Sequence, residues 1–99
     1  MTHQVNRRDD VLHIQLSGRI DQSGLGNLKT ALGLAEAAQA RQVDVDFSAV
    51  NYIGSTGIAL LVQFYKNLSQ RGGKMRVLNL SANMQEVFRA LKLDKLFSF

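Results

Sequence analysis

The sequence predicts an α/β domain in which a mixed, largely parallel β-sheet of four to five strands is covered by three to four α-helices. Three observations carry this. Apolar and polar residues alternate in three separate stretches, the period of a strand. Between and after them, apolar residues recur at spacings of three and four, the period of an amphipathic helix. The two kinds of segment also take turns along the chain, the order that sets parallel strands side by side with helical crossovers between them.

The first elements form a hairpin. Leu12, Ile14 and Leu16 alternate with His13, Gln15 and Ser17, so residues 11–17 form a strand that ends at Gly18 and pairs with Val5–Arg8 across an Asp9-Asp10 turn. From Ser23, a plausible N-cap, Leu25, Leu28, Leu32 and Ala35 mark a helix that Gly24, Gly26 and Gly33 weaken. Val43, Val45 and Phe47 then alternate with Gln42, Asp44, Asp46 and Ser48, a strand over 42–48. Ile58, Leu61, Val62, Tyr65 and Leu68 form the apolar stripe of a helix over 56–70, stopped by Gly72-Gly73. Met75, Val77, Leu78 and Leu80 give the next strand. Asn83 with Glu86 three positions on reads as the N-cap of a short helix presenting Val87, Phe88 and Leu91. Leu93, Leu96, Phe97 and Phe99 close the chain as a turn and a possible edge strand.

Ninety-nine residues, without proline, low-complexity sequence or internal repeat, are read as a single domain spanning residues 1–99. A chain of this size buries roughly 60–65% of its unfolded surface. The longest apolar run, Ile58–Val62, is far short of the roughly 20 residues that cross a bilayer. The first eight residues carry no apolar signal region, so a cytoplasmic location is expected. The absence of cysteine excludes disulfides, thiolate ligands and thiol nucleophiles. A net charge of +4 raises the question of nucleic acid, but the cations are spread from Arg7 to Lys95 without a long basic run, and no direct nucleic-acid role is expected. The densest group, Lys66, Arg71, Lys74 and Arg76, reads as the solvated end of a helix and the turn after it.

Ser55 and Thr56 sit where the strand over 42–48 hands over to the helix over 56–70. There the first amides lack intrahelical partners and the helix dipole presents its positive end, so a hydroxyl or a bound anion is stabilised. Either hydroxyl is a candidate N-cap, and a phosphate carried by Ser55 would occupy the same environment. A hydrolase is not indicated. The nucleophile elbow needs glycines two before and two after the serine, and those positions hold Ile53 and Gly57. His3 and His13 lie near the N-terminus and in the first alternating strand, with no evident role as a base. Gly72-Gly73-Lys74-Met75 lacks the hydroxyl and the upstream glycine of a phosphate-binding loop. Asp44 and Asp46 share one face of a strand with no third ligand near in sequence, so no metal site is expected and the pair reads as surface or cap residues.

The combination Asp46-x-Ser48-x-Val50-x-Tyr52-Ile53-Gly54-Ser55-Thr56-Gly57-Ile58, with Ser17-Gly18-Arg19-Ile20-Asp21 before it and Gly72-Gly73-Lys74-Met75 and Val87-Phe88-Arg89-Ala90-Leu91 after it, resembles the STAS domain of bacterial anti-sigma factor antagonists. The resemblance covers essentially the whole chain. It implies the STAS fold and a catalytically silent protein without cofactor that binds an anti-sigma factor, itself a serine kinase, and so frees a sigma factor. It further implies that phosphorylation at Ser55, less so at Thr56, abolishes the binding, and that a PP2C-type phosphatase restores it. Asp21, Gly54, Ser55, Thr56 and Gly57 are the implied partner-binding residues, on a monomer or weak dimer. The chain departs from the family pattern at Gly54, commonly aspartate, and at Arg19, commonly glutamate. Both changes remove negative charge near Ser55, and Gly54 also offers to relax the backbone at the turn. A second implied role resembles stand-alone STAS subunits of transporter complexes of the ABC lipid-transport type, which act without phosphorylation. Nucleotide binding is not expected, since nothing along the sequence cradles phosphates.

Overall fold

Hydrogen bonding aligns four strands in chain order, and the connections decide their directions. A computed structural model describes residues 2–97. Strand β1 (Thr2–Arg8) turns tightly into β2 (Val11–Ile20), with Asp9 in the left-handed region at φ 56°, so the two pair antiparallel. Helix α1 (Leu25–Ala37) then leads to β3 (Gln42–Ile53), and helix α2 (Ser55–Gln70) to β4 (Lys74–Leu78). Both later pairings are parallel, as helical crossovers require. Helix α3 (Ala82–Ala90) and a 3₁₀ turn, Leu93–Lys95, complete the described chain. Phe99, expected in an edge strand, lies outside the described residues; Phe97 is buried beyond the 3₁₀ turn, and among the described residues the sheet has four strands.

The alternation seen in the sequence sets the core. Leu12, Ile14 and Leu16 of β2, Val43, Val45 and Phe47 of β3, and Met75 and Val77 of β4 are all buried on one face, beneath Leu28, Ala31, Leu32 and Ala35 of α1. Rings close the far end, Phe47 meeting Phe88 edge-on at 6.1 Å and Tyr65 meeting Phe97 at 5.6 Å between centroids. The other face of the sheet carries Gln4, His13, Gln15, Asp44 and Arg76, as a one-sided sheet demands.

Several expected boundaries shift. Gly18 does not end β2: it takes φ 95° within a register shift and the strand runs on to Ile20, a bulge and not a stop. β3 continues five residues past Ser48 to Ile53. The centre of α2's buried face is Gly57, Leu61, Phe64 and Leu68, while Ile58, Val62 and Tyr65 flank it half-buried. In α3 the buried pair is Met84 and Phe88, one turn apart; Val87 and Leu91 are exposed. That helix is capped by Ser81, whose Oγ accepts from the Met84 N–H at 3.2 Å, in place of the expected Asn83.

Asp44 is the other correction. It is not a surface residue but 1% exposed, gripped by Arg76 and with His13 Nδ1 3.9 Å away. Asp46 accepts from the Ser48 N–H at 2.8 Å and from Asn79 Nδ2 at 3.1 Å. Gly73 marks a close approach, since a Cβ there would lie 2.8 Å from the Arg41 carbonyl oxygen. The Lys74 N–H donates to that same oxygen at 2.7 Å.

Candidate functional site

The five residues added to β3 carry it alongside the end of β2, where Arg19 pairs with Tyr52 and Ile20 with Ile53. The Gly54 N–H then donates to the Ile20 carbonyl at 3.0 Å, tying the start of α2 to the strand beside it. Because Ile20 leads directly into Asp21, this bond brings two loops distant in sequence to one place.

Gly54, not Ser55 or Thr56, is the N-cap of α2. Having no side chain, it caps no amide. Its φ of −85° and ψ of 172° are open to any residue, so the backbone has no need of glycine here, contrary to the expected relaxation of the turn. A Cβ at this position would sit 3.4 Å from the Tyr52 Oη, a close fit. Ser55 and Thr56 therefore occupy the first turn of the helix itself, and both are exposed. Among the described residues, neither hydroxyl is engaged as a helix cap. The unpartnered first amides of α2 and its positive dipole end lie at this turn.

Gly57 is buried, with a Cβ there placed 3.0 Å from both Ile20 Cγ2 and Ile53 Cγ1. Its lack of a side chain lets the first turn of α2 settle against the ends of β2 and β3. Asp21, Gly54, Ser55, Thr56 and Gly57 all line one cleft of about 350 Å³, completed by Ile20, Gln22, Leu25 and Tyr52.

Asp21 is held firmly in that cleft. Its Oδ1 accepts from the Ser23 hydroxyl at 2.7 Å and from the Ser23 N–H at 3.1 Å, capping a 3₁₀ turn over Gln22–Gly24. Ser23, the expected N-cap of α1, lies within that turn, and the N-cap of α1 is Gly24, which has no side chain. The Ser23 hydroxyl holds the Asp21 carboxyl below its usual pKa, with further help from the Ser23 and Gly24 amides and the Arg19 charge. It is ionised at neutral pH.

Arg19 and Tyr52 form a pair that sequence reasoning missed. The guanidinium carbon lies 4.3 Å from the centre of the Tyr52 ring, and Arg19 Nε is 3.6 Å from Asp21 Oδ2. The cation at position 19 is thereby shared between a ring and a carboxylate at the mouth of the cleft. The pairing was hidden because two register shifts in β2 intervene before the two residues come opposite each other.

Neither histidine lines the cleft; His3 Nδ1 is 3.1 Å from Asn27 Oδ1, and His13 faces Asp44 across the sheet. Among the described residues no group of three or more His, Cys, Asp or Glu side chains is placed to hold a metal ion. The arrangement sets an exposed hydroxyl, a fixed carboxylate and a helix end around one cleft.

Comparison with known proteins follows the same lines. A family model described as "Mlab, STAS domain" matches residues 3–98. The chain is 27% identical over 92 residues to the anti-sigma-B factor antagonists of Listeria monocytogenes and Listeria innocua, covering 92% of this chain and 81% of each relative. A crystal structure of an anti-sigma factor antagonist from Mycobacterium paratuberculosis superposes with a TM-score of 0.87 at 29% identity, covering 98% of this chain and 82% of that one. The fold is shared with SpoIIAA of Bacillus in its phosphorylated form, at a TM-score of 0.76, 20% identity and coverage of 97% and 88%. The match of this helix-backed sheet to the family model over nearly its whole length places the chain in the STAS-domain family.

Proposed function

We propose that the protein is an anti-sigma factor antagonist that binds an anti-sigma factor with serine kinase activity while Ser55 is unmodified, and is released when Ser55 is phosphorylated. The observation that carries this reading is the placement of Ser55, exposed on the first turn of α2, in one cleft with the fixed carboxylate of Asp21. The Listeria relatives, named anti-sigma-B factor antagonists, support it.

Phosphate on Ser55 would bring about −1.5 to −2 charges to a helix start that tolerates them, so the fold itself would change little. Loss of binding would come from desolvating the phosphate at an interface fitted to a neutral hydroxyl. A penalty of about 3 kcal/mol lowers affinity more than a hundredfold. Asp21, Gly54 and Thr56 would complete the contact surface, with Gly57 beneath them setting the helix in place. A PP2C-type phosphatase would reset the switch, the cycle belongs in the cytoplasm, and no substrate turnover is expected of this chain.

Incubation with the candidate kinase and ATP, followed by phosphopeptide mass spectrometry, tests the reading. Phosphate on Ser55 is expected; its absence, or phosphate only elsewhere, counts against the switch.

A second reading rests on Gly54, which leaves the cleft without a carboxylate next to the hydroxyl although the backbone there would accept one. It makes the protein a STAS interaction subunit of an ABC-type transporter complex that acts without phosphorylation. Affinity purification from the native cell separates the two: a kinase-fold partner supports the first and an ABC ATPase the second.

A further inference from the structure

At the end of the sheet away from Ser55, where β2, β3 and β4 begin, the fold gathers cations that the sequence scatters. The register aligns Val11, Gln42 and Lys74 across three strands there, and a cleft of about 580 Å³ opens beside them. Arg7 of β1, Arg41 just before β3 and Lys74 at the start of β4 all line it, against a single lining carboxylate, Asp10. Arg8, opposite Val11 across the hairpin, and Arg71, before the Gly72 turn, add charge nearby.

Among the described residues, Arg7, Arg41 and Lys74 are in no ion pair with a carboxylate. Arg7 is steadied by the carbonyl oxygens of Asp9 and Ala38, each at 3.4 Å, and Arg71 by that of Ala40 at 3.4 Å. Carbonyl acceptors orient a guanidinium without neutralising it. Like charges gathered around a cleft repel one another and focus a positive potential into it, which an anion relieves. Its volume lies within the roughly 300–1,000 Å³ of small-molecule sites. Among the described residues no aromatic ring lines it to stack on a nucleobase, and recognition would fall on phosphate oxygens, for which arginine forks and lysine are suited.

We propose that this cleft binds a phosphate-rich anion, with Arg7, Arg41 and Lys74 holding its oxygens. The site is independent of Ser55, at the opposite end of β3. Such an anion has two sources, a soluble polyphosphate or the headgroup of an anionic lipid.

The test uses the full chain, titrated with inorganic tripolyphosphate and followed by backbone amide NMR shifts, and in parallel sedimented with vesicles of phosphatidylcholine with or without cardiolipin. Two double variants of equal charge change are compared, Arg41→Gln with Lys74→Gln in the cleft and Lys29→Gln with Lys66→Gln on the helices. All four positions are exposed, and thermal melts check that both variants fold. Saturable binding is expected, with shifts at Arg7, Asp10, Arg41 and Lys74, weakened about tenfold or more by the cleft variant alone. Binding of tripolyphosphate in that pattern identifies a soluble source, and binding of cardiolipin vesicles alone a lipid one. No saturable binding to either, or a loss that is equal in the two double variants, overturns the proposal.

Discussion

Arg76 reaches across from β4 to hold both oxygens of Asp44, Nε donating to Oδ1 at 2.9 Å and Nη2 to Oδ2 at 2.6 Å. The carboxylate is 1% exposed, whereas half of the Arg76 side chain remains in contact with solvent. This inequality sets the consequences of breaking the pair. Asp44→Asn leaves a guanidinium that can turn to water, and a loss of about 1–2 kcal/mol is expected. Arg76→Met keeps the cover but leaves the buried carboxylate only the Gln42 amide, at 3.3 Å, and the His13 ring beside it, so its urea midpoint is expected to fall further. Equal losses would contradict the asymmetry.

The same pair fixes an acid response. The hydrogen bond from Arg76 holds the Asp44 carboxyl below its ordinary value of 3.8, outweighing the opposing effect of burial. A carboxyl whose pKa is depressed in the folded state contributes stability above its unfolded value, and loses it as pH falls through the folded one. The stability gap between wild type and Asp44→Asn is therefore expected to shrink as pH falls below about 4. Urea denaturation as a function of pH measures it.

Glycines separate into two kinds. Gly57→Ala places a methyl group 3.0 Å from Ile20 and Ile53 and is expected to cost about 1–3 kcal/mol while disturbing the first turn of α2. Gly26 and Gly33 of α1 meet nothing within 4 Å, so alanine at either is expected to stabilise by about 0.5–1 kcal/mol. Thermal unfolding of the three single variants checks the opposite signs.

Helix α3 offers a test of the cap assignment. Ser81→Ala removes the acceptor of the Met84 amide and is expected to cost about 1 kcal/mol, while Asn83→Ala is expected to change little. The reverse ranking would restore the reading made from sequence.

The central strands and the core were legible because β2 and β3 alternate cleanly at Leu12–Leu16 and Val43–Phe47, and one period suffices to bury a face. The end of β3 was not legible. From Ser48 to Ile53 only Val50 and Ile53 are buried, a spacing that no strand period predicts, because the bulged register of β2 beside it breaks the alternation. Caps were misassigned at three helices, Gly24 against Ser23, Gly54 against Ser55 or Thr56, and Ser81 against Asn83, since only backbone geometry chooses among neighbouring residues able to cap. The burial of Asp44 depends on Arg76, its register partner on β4, and pairing register cannot be read from composition. The cleft residues Asp21 and Gly54 to Gly57 were named from the family resemblance, which supplies what periodicity cannot: that two loops distant in sequence face one another. Arg19 over Tyr52 and the basic cleft escaped for the same geometric reason.

The central claim is that partners sense the state of the Ser55 hydroxyl on an otherwise unchanged fold. The most direct measurement is the affinity of wild type, Ser55→Ala and Ser55→Asp for the cognate anti-sigma kinase, with thermal melts run on all three. The expected result is near-wild-type binding by Ser55→Ala and a loss of about a hundredfold or more by Ser55→Asp, with similar melting temperatures. Binding by Ser55→Asp as tight as wild type would contradict the account.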